Sequence, residues 1–575
     1  MTGDRPRAAG RTAENRRGWA RGRLGAAAVL VAAVAAGLTS VRAAVPAAAQ
    51  AADGAGRVVI VLDVSDAASV GAGAEGVAAD CNADGAVDDR DDLNRDGLVG
   101  TVLDCEVAAG IAIVTAVAAE QPATEVSVAV FGASAALADV GEPLADGANP
   151  VDDVIGPTTD RDDGDRDRTA DVVQALTSAR RGGIDLHRPV EVGADADPVA
   201  LAALLAAPDL ADADAFLLAS GAGTVGDAAI SDDAVDALAG RLGTLRAFAI
   251  GADATCDGWL ARTGAACTAT AEPFTVIDQL LTPVAPAADG DGPVRYVALG
   301  DSYSAGEGLD NGHAAVPLPC HRALRDAFPA LVADDISTLT GRGVELTHGA
   351  CAGARMRHVL ADAQDVDGPN PPQLDLLGPS TELVTITVGG NDIGFSAIAG
   401  HCAVHADCAD DDYVELGDGR SLTLAAWADT RFPSLQAQLV ALHRVIAHRA
   451  PAARRYVATY PRLIAEQPRR VCTTRLLLSE SERVFLAGVA ERLEAATVAA
   501  ATATGAVAVP MVDAFAGREV CARLFSDDEW VDDVRFDPTN PPFFVAPGTF
   551  HPNRAGHRAY AAEVMDTIRA DPTWP

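Results

Sequence analysis

The sequence contains no lysine, so all 44 of its basic residues are arginines. They face 81 acidic residues, which gives a formal net charge of -37 at pH 7. Proteins that bind nucleic acid need clustered positive charge against the phosphates, and this balance therefore argues against a nucleic-acid partner. We interpret the acidic excess as a solvated surface that keeps the protein soluble.

Aromatic residues are also scarce, at 4% of the 575 residues, although 49% of the chain is hydrophobic. Alanine, valine and leucine must therefore fill most of the interior. A chain of this length and apolar content can build two or three cores of ordinary size.

The N-terminal segment lacks an apolar run long enough to cross a membrane, which takes about 20 residues. Its run over 24–38 is shorter, seven arginines precede it, and small residues follow it as far as Ala52. This is the pattern of a secretory signal peptide. We predict a signal peptide over 1–43, cleaved after Ala43 or later, and a secreted, extracellular protein. A retained membrane anchor is the alternative.

No Cys-x-x-Cys motif is present, which argues against structural zinc and dithiol redox chemistry. Ten cysteines in an exported chain instead indicate disulfides. Pairing of neighbours is the simplest hypothesis, because each bridge then closes one local excursion of the chain. The predicted pairs are Cys81 with Cys105, Cys256 with Cys267, Cys320 with Cys351, Cys402 with Cys408, and Cys472 with Cys521.

A Pro-, Ala-, Gly- and Asp-rich linker over 282–293 separates two globular regions, 54–281 and 294–575. Strand and helix patterns alternate in both, which predicts α/β domains with parallel sheets. In the first region the predicted strands are 57–63, 125–131, 215–219 and 245–250, and the helices 107–120, 169–179 and 231–242. In the second the strands are 294–300, 344–348, 382–388, 454–460 and 506–512, and the helices 432–448, 479–502 and 554–570. The second region is therefore predicted to be a three-layer α/β/α domain with a five-stranded parallel sheet.

Ser302 follows the first strand of the second region, where open α/β sheets place their chemistry. Alone it reads equally well as a helix N-cap. Three further segments follow strands or precede a helix at the same sheet edge, and they carry Gly353, Asn391 and His551. A nucleophilic serine needs a base to take its proton and N–H donors aimed at the oxyanion. These four residues supply those parts.

At this point the region resembles the SGNH (GDSL) hydrolase family, especially secreted actinobacterial esterases and lipases with three disulfides. The resemblance rests on GDSYSAGEG, ACAGA, VGGNDIGF and HPNRAGH. It implies Ser302 as nucleophile, His551 as general base, and an oxyanion hole formed by the Ser302 amide, Gly353 and Asn391. It also implies the three sequential disulfides of this region and no cofactor for catalysis.

One position departs from the commonest family pattern. Many members carry an acid three residues before the histidine, whereas this chain has Gly548 there. The resembled subgroup uses a backbone carbonyl instead, so we predict a Ser–His dyad helped by the Gly548 carbonyl. An acid from elsewhere, Asp537, is the alternative.

Other polar residues of this region receive structural interpretations. We expect Asp301 and Asp392 to brace their turns and His557 to be a surface or packing residue. His313, His321, His401 and His405 read as loop histidines without metal-ligand spacing.

The substrate class implied by the resemblance is an acyl ester, of a lipid or a small molecule. The loops 309–318 and 399–424 are expected to build the pocket, and because neither is strongly apolar they predict no deep lipid groove. Two alternatives stay open: a carbohydrate deacetylase or acyltransferase on the same scaffold, and a cell-surface binding protein whose hydrolase domain is inactive.

In the first region, VVIVLDVSD resembles the first strand of a von Willebrand factor A domain. Asp63, Ser65 and Thr169 match that family's metal-site pattern, whereas Ala67 and Ser220 replace two of its ligands. The departures put an adhesion-type metal site in doubt. The resemblance then implies a scaffold or a surface for a protein or cell-surface ligand.

An acidic insertion over 80–105 contains an EF-hand-like calcium pattern, with glycine at position 6. Its predicted ligands are Asp80, Asn82, Asp84, Asp88 and Asp91. A second, partial loop over 92–97 follows directly, and the tandem resembles dockerin or thrombospondin type 3 repeats. We predict structural calcium here, with a plain acidic loop as the alternative.

Overall fold

The fold is described from a computed structural model over residues 56–574 with internal gaps. The gaps are 139, 141–154, 161–169, 187–188, 196, 208–209, 211, 221–242, 258, 264, 288–291, 310–318, 367, 416–420, 535–545 and 547. The predicted signal peptide 1–43 and the predicted helix 231–242 lie outside the described residues. We call 56–281 the N-terminal half and 292–574 the C-terminal half.

The N-terminal half alternates strands and helices. Its strands are β1 (Arg57–Asp63), β2 (Glu125–Phe131), β3 (Ala135–Leu137), β4 (Ala179–Arg180), β5 (Gly183–Ile184), β6 (Val190–Glu191), β7 (Asp214–Ala219), β8 (Thr244–Ile250) and β9 (Ala266–Thr270). Its helices are α1 (Val102–Glu120), α2 (Asp171–Thr177), α3 (Pro198–Leu205), α4 (Trp259–Arg262) and α5 (Val276–Leu280).

The C-terminal half alternates in the same way. Its strands are β10 (Val294–Gly300), β11 (Val344–His348), β12 (Gln364–Asp365), β13 (Pro369–Asn370), β14 (Leu383–Thr387), β15 (Asp412–Glu415), β16 (Ser421–Thr423), β17 (Arg454–Ala458) and β18 (Val507–Val509). Its helices are α6 (Ser302–Ala305), α7 (Phe328–Thr340), α8 (Met356–Leu360), α9 (Phe395–Cys402), α10 (Leu424–Asp429), α11 (Phe432–Arg449), α12 (Thr473–Leu477), α13 (Glu480–Ala503) and α14 (Arg554–Ala570).

Each half is built on one main sheet. The N-terminal sheet has the order β3-β2-β1-β7-β8-β9 and is parallel except for the edge strand β3. The C-terminal sheet has the order β11-β10-β14-β17-β18 and is parallel throughout. The predicted α/β class is confirmed. In both sheets the strand order reverses beside the first strand, so the carboxyl ends of β1 and β10 open onto a crevice.

Helix α1 explains how the two halves pack. Its sequence is apolar on every side, and a helix of that kind must be covered all round. Among the described residues it is the one helix long and apolar enough to cross a membrane, and 89% of that stretch is buried inside the protein. Helix α11 of the C-terminal half covers one side of it. As a result, core residues on one face of the N-terminal sheet join those of the C-terminal half in one cluster, and the chain after Gly54 forms one compact unit. The other face of the N-terminal sheet has a separate core cluster.

Some element boundaries differ from the predictions for identifiable reasons. Helix α1 begins at Val102, five residues before the predicted start, because Thr101 and Asp104 form a capping box there. Strand β9 was not predicted, since its residues are small, polar and partly exposed. The linker residue Ala287 donates its N–H to the Pro379 carbonyl at 3.0 Å, so this part of the predicted linker lies against the C-terminal half.

All five predicted disulfides are present. The bridge between Cys320 and Cys351 lies close to the crevice of the C-terminal sheet, and the bridge between Cys402 and Cys408 closes the turn after α9. Both therefore hold segments that border the candidate site.

Candidate active site

Ser302 begins helix α6 at the end of β10, on a turn that only glycine permits at its first position. Gly300 has φ +124°, and a Cβ there would lie 2.3 Å from the Thr387 carbonyl oxygen. Asp301 is the N-cap, and its Oδ1 accepts the Tyr303 N–H at 3.0 Å. This geometry places Ser302 at the edge of the sheet, where it is 9% exposed.

The His551 ring lies between Ser302 and a backbone carbonyl. Its Nε2 is 2.7 Å from Ser302 Oγ, and its Nδ1 is 2.9 Å from the Thr549 carbonyl oxygen. A carbonyl only accepts, so Nδ1 carries the proton and Nε2 has the lone pair that faces the serine hydroxyl. Burial lowers the pKa of His551, while the nearby Glu307 carboxylate opposes that shift.

Gly353 and Asn391 border the same cavity as Ser302 and His551. Gly353 has φ +72°, which glycine adopts without strain. The Asn391 side-chain amide donates to the Ala354 carbonyl at 3.0 Å. This bond links the loop that carries Gly353 to the loop that carries Asn391.

Asp301 and Asp392 brace the loops that carry these groups. Asp301 accepts from Thr387 Oγ1 at 2.8 Å and from the Tyr460 hydroxyl at 2.5 Å. Asp392 accepts the Met356 N–H at 2.9 Å. Burial raises the pKa of each carboxyl to about 6. The hydrogen bonds agree with the expected bracing role of both residues.

The cavity beside Ser302 has a volume of about 600 Å³ and a largely apolar wall. Apolar side chains that form this wall include Phe395, Ala399, Leu463, Leu477, Leu478 and Leu493. The expectation of no deep apolar groove is therefore wrong. The predicted segment 399–424 contributes Ala399, Gly400, Ala403 and Val404 to the wall, whereas sequence reasoning did not connect α12 and α13 to the motifs. Of the predicted loop 309–318, residues 310–318 lie outside the described residues.

Residues 298–559 match the sequence model of the GDSL-like Lipase/Acylhydrolase family. Lipase 2 of Streptomyces coelicolor is 30% identical over 286 residues, a match that covers 48% of this chain and 86% of the relative. This chain belongs to the GDSL-like lipase/acylhydrolase family.

Other members agree. The lipase of Streptomyces rimosus is 31% identical over 264 residues, which covers 45% of this chain and 81% of that protein. The crystal structure of an extracellular lipase from the same organism aligns with 26% identity over 48% of this chain and 99% of that chain, with a TM-score of 0.34. As a member of the GDSL-like family, the chain is a carboxylic ester hydrolase.

Within this GDSL-family site the predicted partner of the histidine needs correction. The Gly548 carbonyl accepts the His551 backbone N–H at 3.2 Å, and the ring instead contacts the Thr549 carbonyl. The Gly548 carbonyl therefore closes the turn that leads into His551. The Gly308 backbone approaches this turn closely, because a Cβ on Gly308 would lie only 2.5 Å from Gly548 Cα. The alternative acid, Asp537, lies outside the described residues.

Sequence reasoning missed two residues around the histidine. Glu307 is 5% exposed, and its carboxylate lies 2.7 Å from His321 Nδ1 on the cavity wall. The Tyr303 hydroxyl donates to the Phe550 carbonyl at 2.7 Å, and its ring centroid is 5.0 Å from that of His551. Both Glu307 and Tyr303 lie within the GDSYSAGEG segment. Their closeness to Ser302 in sequence was the feature from which their position near the histidine could have been predicted.

His557 was expected to be a surface or a packing residue, and the structure shows a packing residue. It is fully buried, and its Nδ1 accepts the Phe328 N–H at 3.2 Å. Burial lowers the pKa of His557 to about 3, so the ring is neutral at ordinary pH.

In the N-terminal half, Asp63 lies at the carboxyl end of β1 and accepts the Ser65 N–H at 3.0 Å. Ser220, after β7, also contacts Asp63, whereas Thr169 lies outside the described residues. Glu106 on α1, which sequence reasoning missed, is fully buried and accepts the Asp63 N–H at 2.9 Å. Burial, and then the proximity of Asp63, raises the pKa of Glu106 well above its ordinary value.

The first acidic loop, 80–91, folds around its own carboxylates. Asp80 accepts the N–H groups of Asp84 at 3.0 Å and Gly85 at 2.7 Å. Asp91 is buried, and burial together with the nearby Asp80 and Asp84 raises its pKa to about 6. Enclosed, mutually repelling carboxylates are a donor set that fits a hard cation such as Ca²⁺.

The second acidic loop, 92–97, repeats this arrangement. Asp92 accepts the N–H groups of Asp96 and Gly97, both at 3.0 Å. Gly85 and Gly97 have φ +88° and +86°, as the sharp turn at position 6 of a calcium loop requires.

Arginine takes part in the first loop. The Arg90 guanidinium lies 2.8 Å from Asp84 and 2.7 Å from Asp88, so it already neutralises part of the loop charge. The carboxylates of Asp80 and Asp91 contact backbone N–H groups and no arginine in the described part of the chain.

Proposed function

We propose that this chain is a secreted serine hydrolase that cleaves carboxylic acyl esters through a Ser302–His551 dyad and a Ser/Gly/Asn oxyanion hole. The observation that carries the proposal is the 2.7 Å contact between His551 Nε2 and Ser302 Oγ at the mouth of an apolar cavity. A serine with its base in hydrogen-bond reach is the arrangement that acyl transfer needs.

In the first step, Ser302 Oγ attacks the ester carbonyl carbon while His551 Nε2 takes the hydroxyl proton. The Thr549 carbonyl holds the Nδ1–H and stabilises the imidazolium that forms. The carbonyl oxygen becomes an oxyanion, which the N–H groups of Ser302, Gly353 and the Asn391 amide stabilise.

Collapse of this intermediate breaks the ester C–O bond, and His551 gives its proton to the departing alkoxide. Water then enters, loses a proton to His551, and attacks the acyl-serine. The second collapse returns the proton to Ser302 and releases the carboxylic acid.

The apolar wall supports an acyl chain as the group bound beside the nucleophile. Burying each methylene of such a chain contributes roughly 0.8 kcal/mol, so a cavity of about 600 Å³ favours esters longer than acetate. This argues for lipid or other acyl esters over carbohydrate acetates.

Hydrolysis of p-nitrophenyl esters of graded chain length tests the proposal. We expect Ser302→Ala to lose activity on all of them. Ser396→Ala is the matched control, because Ser396 borders the same cavity but has no contact with His551 among the hydrogen bonds of the described chain. Equal rates for wild type and Ser302→Ala would contradict the proposal.

A second variant tests the oxyanion hole. Asn391→Ala should lower kcat about 10²–10³-fold and change KM little, because the amide acts where negative charge develops. A change confined to KM would remove Asn391 from that role.

Secretion is supported by the basic and apolar leader, by the five disulfides and by the extracellular nature of the Streptomyces rimosus lipase. Expression in an actinobacterial host followed by mass spectrometry of the culture medium should find a chain that begins at residue 44 or later. Retention of the intact N-terminus in the cell membrane would favour the anchor.

For the N-terminal half we propose a von Willebrand factor A-like scaffold for a protein or cell-surface ligand, with structural Ca²⁺ at Asp80, Asn82, Asp84, Asp88 and Asp91. The strand order of its sheet and the position of Asp63 and Ser65 at the switch point support the first part. The repeated loop geometry supports the second. Calorimetric titration of the full chain with CaCl₂ tests the metal, and an absence of heat would contradict it.

A further inference from the structure

Two histidines and one aspartate converge beside the active-site cavity, although the proposed reaction uses none of them. His401 lies in the last turn of α9, His405 follows one helical turn later, and Asp411 follows after a 3-10 turn. One ligand atom from each residue lies within 4.8 Å of the other two.

The two imidazole rings stack with centroids 4.0 Å apart, and hydrogen bonds hold both of them. His401 Nε2 lies 3.1 Å from Asp411 Oδ2, and His405 Nδ1 lies 3.1 Å from the His401 carbonyl oxygen. The carbonyl must accept from His405 Nδ1–H, which leaves the Nε2 lone pair of that ring for a ligand bond. Metal-binding histidines are commonly fixed in this way, with the other ring nitrogen on a carbonyl.

The surrounding chain holds these side chains in place. The bridge between Cys402 and Cys408 closes the turn, and the Asp411 carbonyl accepts the Leu424 N–H at 2.9 Å. The Tyr413 ring packs edge-on against His401 with centroids 5.1 Å apart. His401 and Asp411 therefore lie on anchored backbone, whereas the exposed His405 can move.

We propose that His401, His405 and Asp411 bind a divalent transition-metal ion, with Zn²⁺ as the best match to two imidazoles and one carboxylate. Metal–ligand distances of about 2.0–2.2 Å put tetrahedral ligand atoms about 3.3 Å apart. The His401–Asp411 pair already meets that spacing, and the His405 ligand atom lies within 4.8 Å of both partners.

The proposed metal site is separate from the Ser302–His551 dyad, and it would affect the wall of the active-site cavity. Ala399, Ala403 and Val404 lie on the same segment and form part of the cavity wall. A bound ion would hold this wall in one position. Given the proposed hydrolysis, Zn²⁺ changes the preference among acyl chain lengths, while the chemistry at Ser302 needs no metal.

Calorimetric titration of the untagged, non-reduced full chain with ZnCl₂ tests the proposal. Excess CaCl₂ is included to occupy the acidic loops of the N-terminal half. We expect one zinc site, and His405→Ala and Asp411→Asn should each weaken it by at least about tenfold. The matched controls are His448→Ala, which removes a half-buried histidine of α11, and Asp410→Asn, which removes the exposed carboxylate next to Asp411; both should bind Zn²⁺ as wild type does.

A Co²⁺-loaded sample gives a second readout, since its visible absorption should disappear in the same two variants. Unchanged zinc binding in His405→Ala and Asp411→Asn, or no zinc site in the wild type, would overturn the proposal. Because binding is measured without substrate, an inactive but zinc-binding protein would contradict only the hydrolase function. An active protein without a zinc site would contradict only the metal.

Discussion

Gln436 on helix α11 donates its side-chain amide to the Asn82 Oδ1 at 2.6 Å, and both side chains are buried. The bond joins the first acidic loop of the N-terminal half to the C-terminal half. Helix α11 also supports the active site, because Leu435 and Leu439 lie within 4 Å of the position that a Cβ on Gly389 would take. The acidic loop and the Asn391 loop therefore contact the same helix.

Gln436→Ala should lower the free energy of unfolding by about 1–3 kcal/mol, because it leaves the buried Asn82 amide short of a partner. Urea denaturation followed by circular dichroism measures this change. The control is Gln438→Ala, whose amide donates to the Ser434 carbonyl of its own helix. Equal losses in the two variants would show that the Asn82 contact contributes nothing.

Removal of calcium should destabilise the whole compact unit, since the acidic loop packs against α11. At a calcium concentration 100-fold above Kd, binding contributes about 2.7 kcal/mol to stability, and chelation removes it. Differential scanning calorimetry with CaCl₂ and with EDTA measures the difference in Tm. Asp80→Asn should abolish the calcium response, whereas the exposed Asp89→Asn should keep it. If the wild-type Tm is the same with CaCl₂ and with EDTA, the loop is a plain acidic turn that binds no calcium.

The pH dependence of kcat/KM should report the His551 base. Only the neutral imidazole accepts the Ser302 proton, so kcat/KM falls about tenfold per pH unit below the His551 pKa. Burial lowers this pKa from its ordinary value of 6.5, which places the acid limb below pH 6.5. The Glu307 carboxylate raises the pKa, and Glu307→Gln should therefore move the limb to still lower pH. Glu345→Gln, on an exposed carboxylate of β11, is the control, and a limb that moves upward in Glu307→Gln contradicts the assignment.

Gly308→Ala should reduce kcat/KM by displacing the turn before His551. The added Cβ would meet Gly548 Cα at 2.5 Å, and backbone on both sides leaves little room to yield. Gly341→Ala separates this clash from backbone strain, because Gly341 also has positive φ, +69°, but nothing within 4 Å of its added Cβ. Hydrolysis rates and Tm are measured for both. A comparable loss of activity in Gly341→Ala would contradict the role of the close approach.

Some of the site followed from local sequence. Ser302, Gly353, Asn391 and His551 each stand at the end of a strand or the start of a helix, and parallel strands bring such positions to one edge. The five disulfides followed from neighbour pairing, because each closes a short excursion.

Other features depended on contacts between distant segments. The carbonyl that accepts from the His551 ring belongs to Thr549, whereas the Gly548 carbonyl accepts the His551 backbone N–H. A pattern of residue types does not reveal which carbonyl of a turn faces the ring. The apolar cavity likewise needs α9, α12 and α13 side by side.

The sequence by itself determined the α/β class, the chemistry-bearing residues and the cysteine pairs, since these depend on residue type and on spacing along the chain. Tertiary structure alone decided which carbonyl orients the histidine, how large the apolar cavity is, and that α1 and α11 join one face of the N-terminal sheet to the core of the C-terminal half. The physical reason is that backbone turns and shared apolar surfaces are set by packing between segments far apart in the chain.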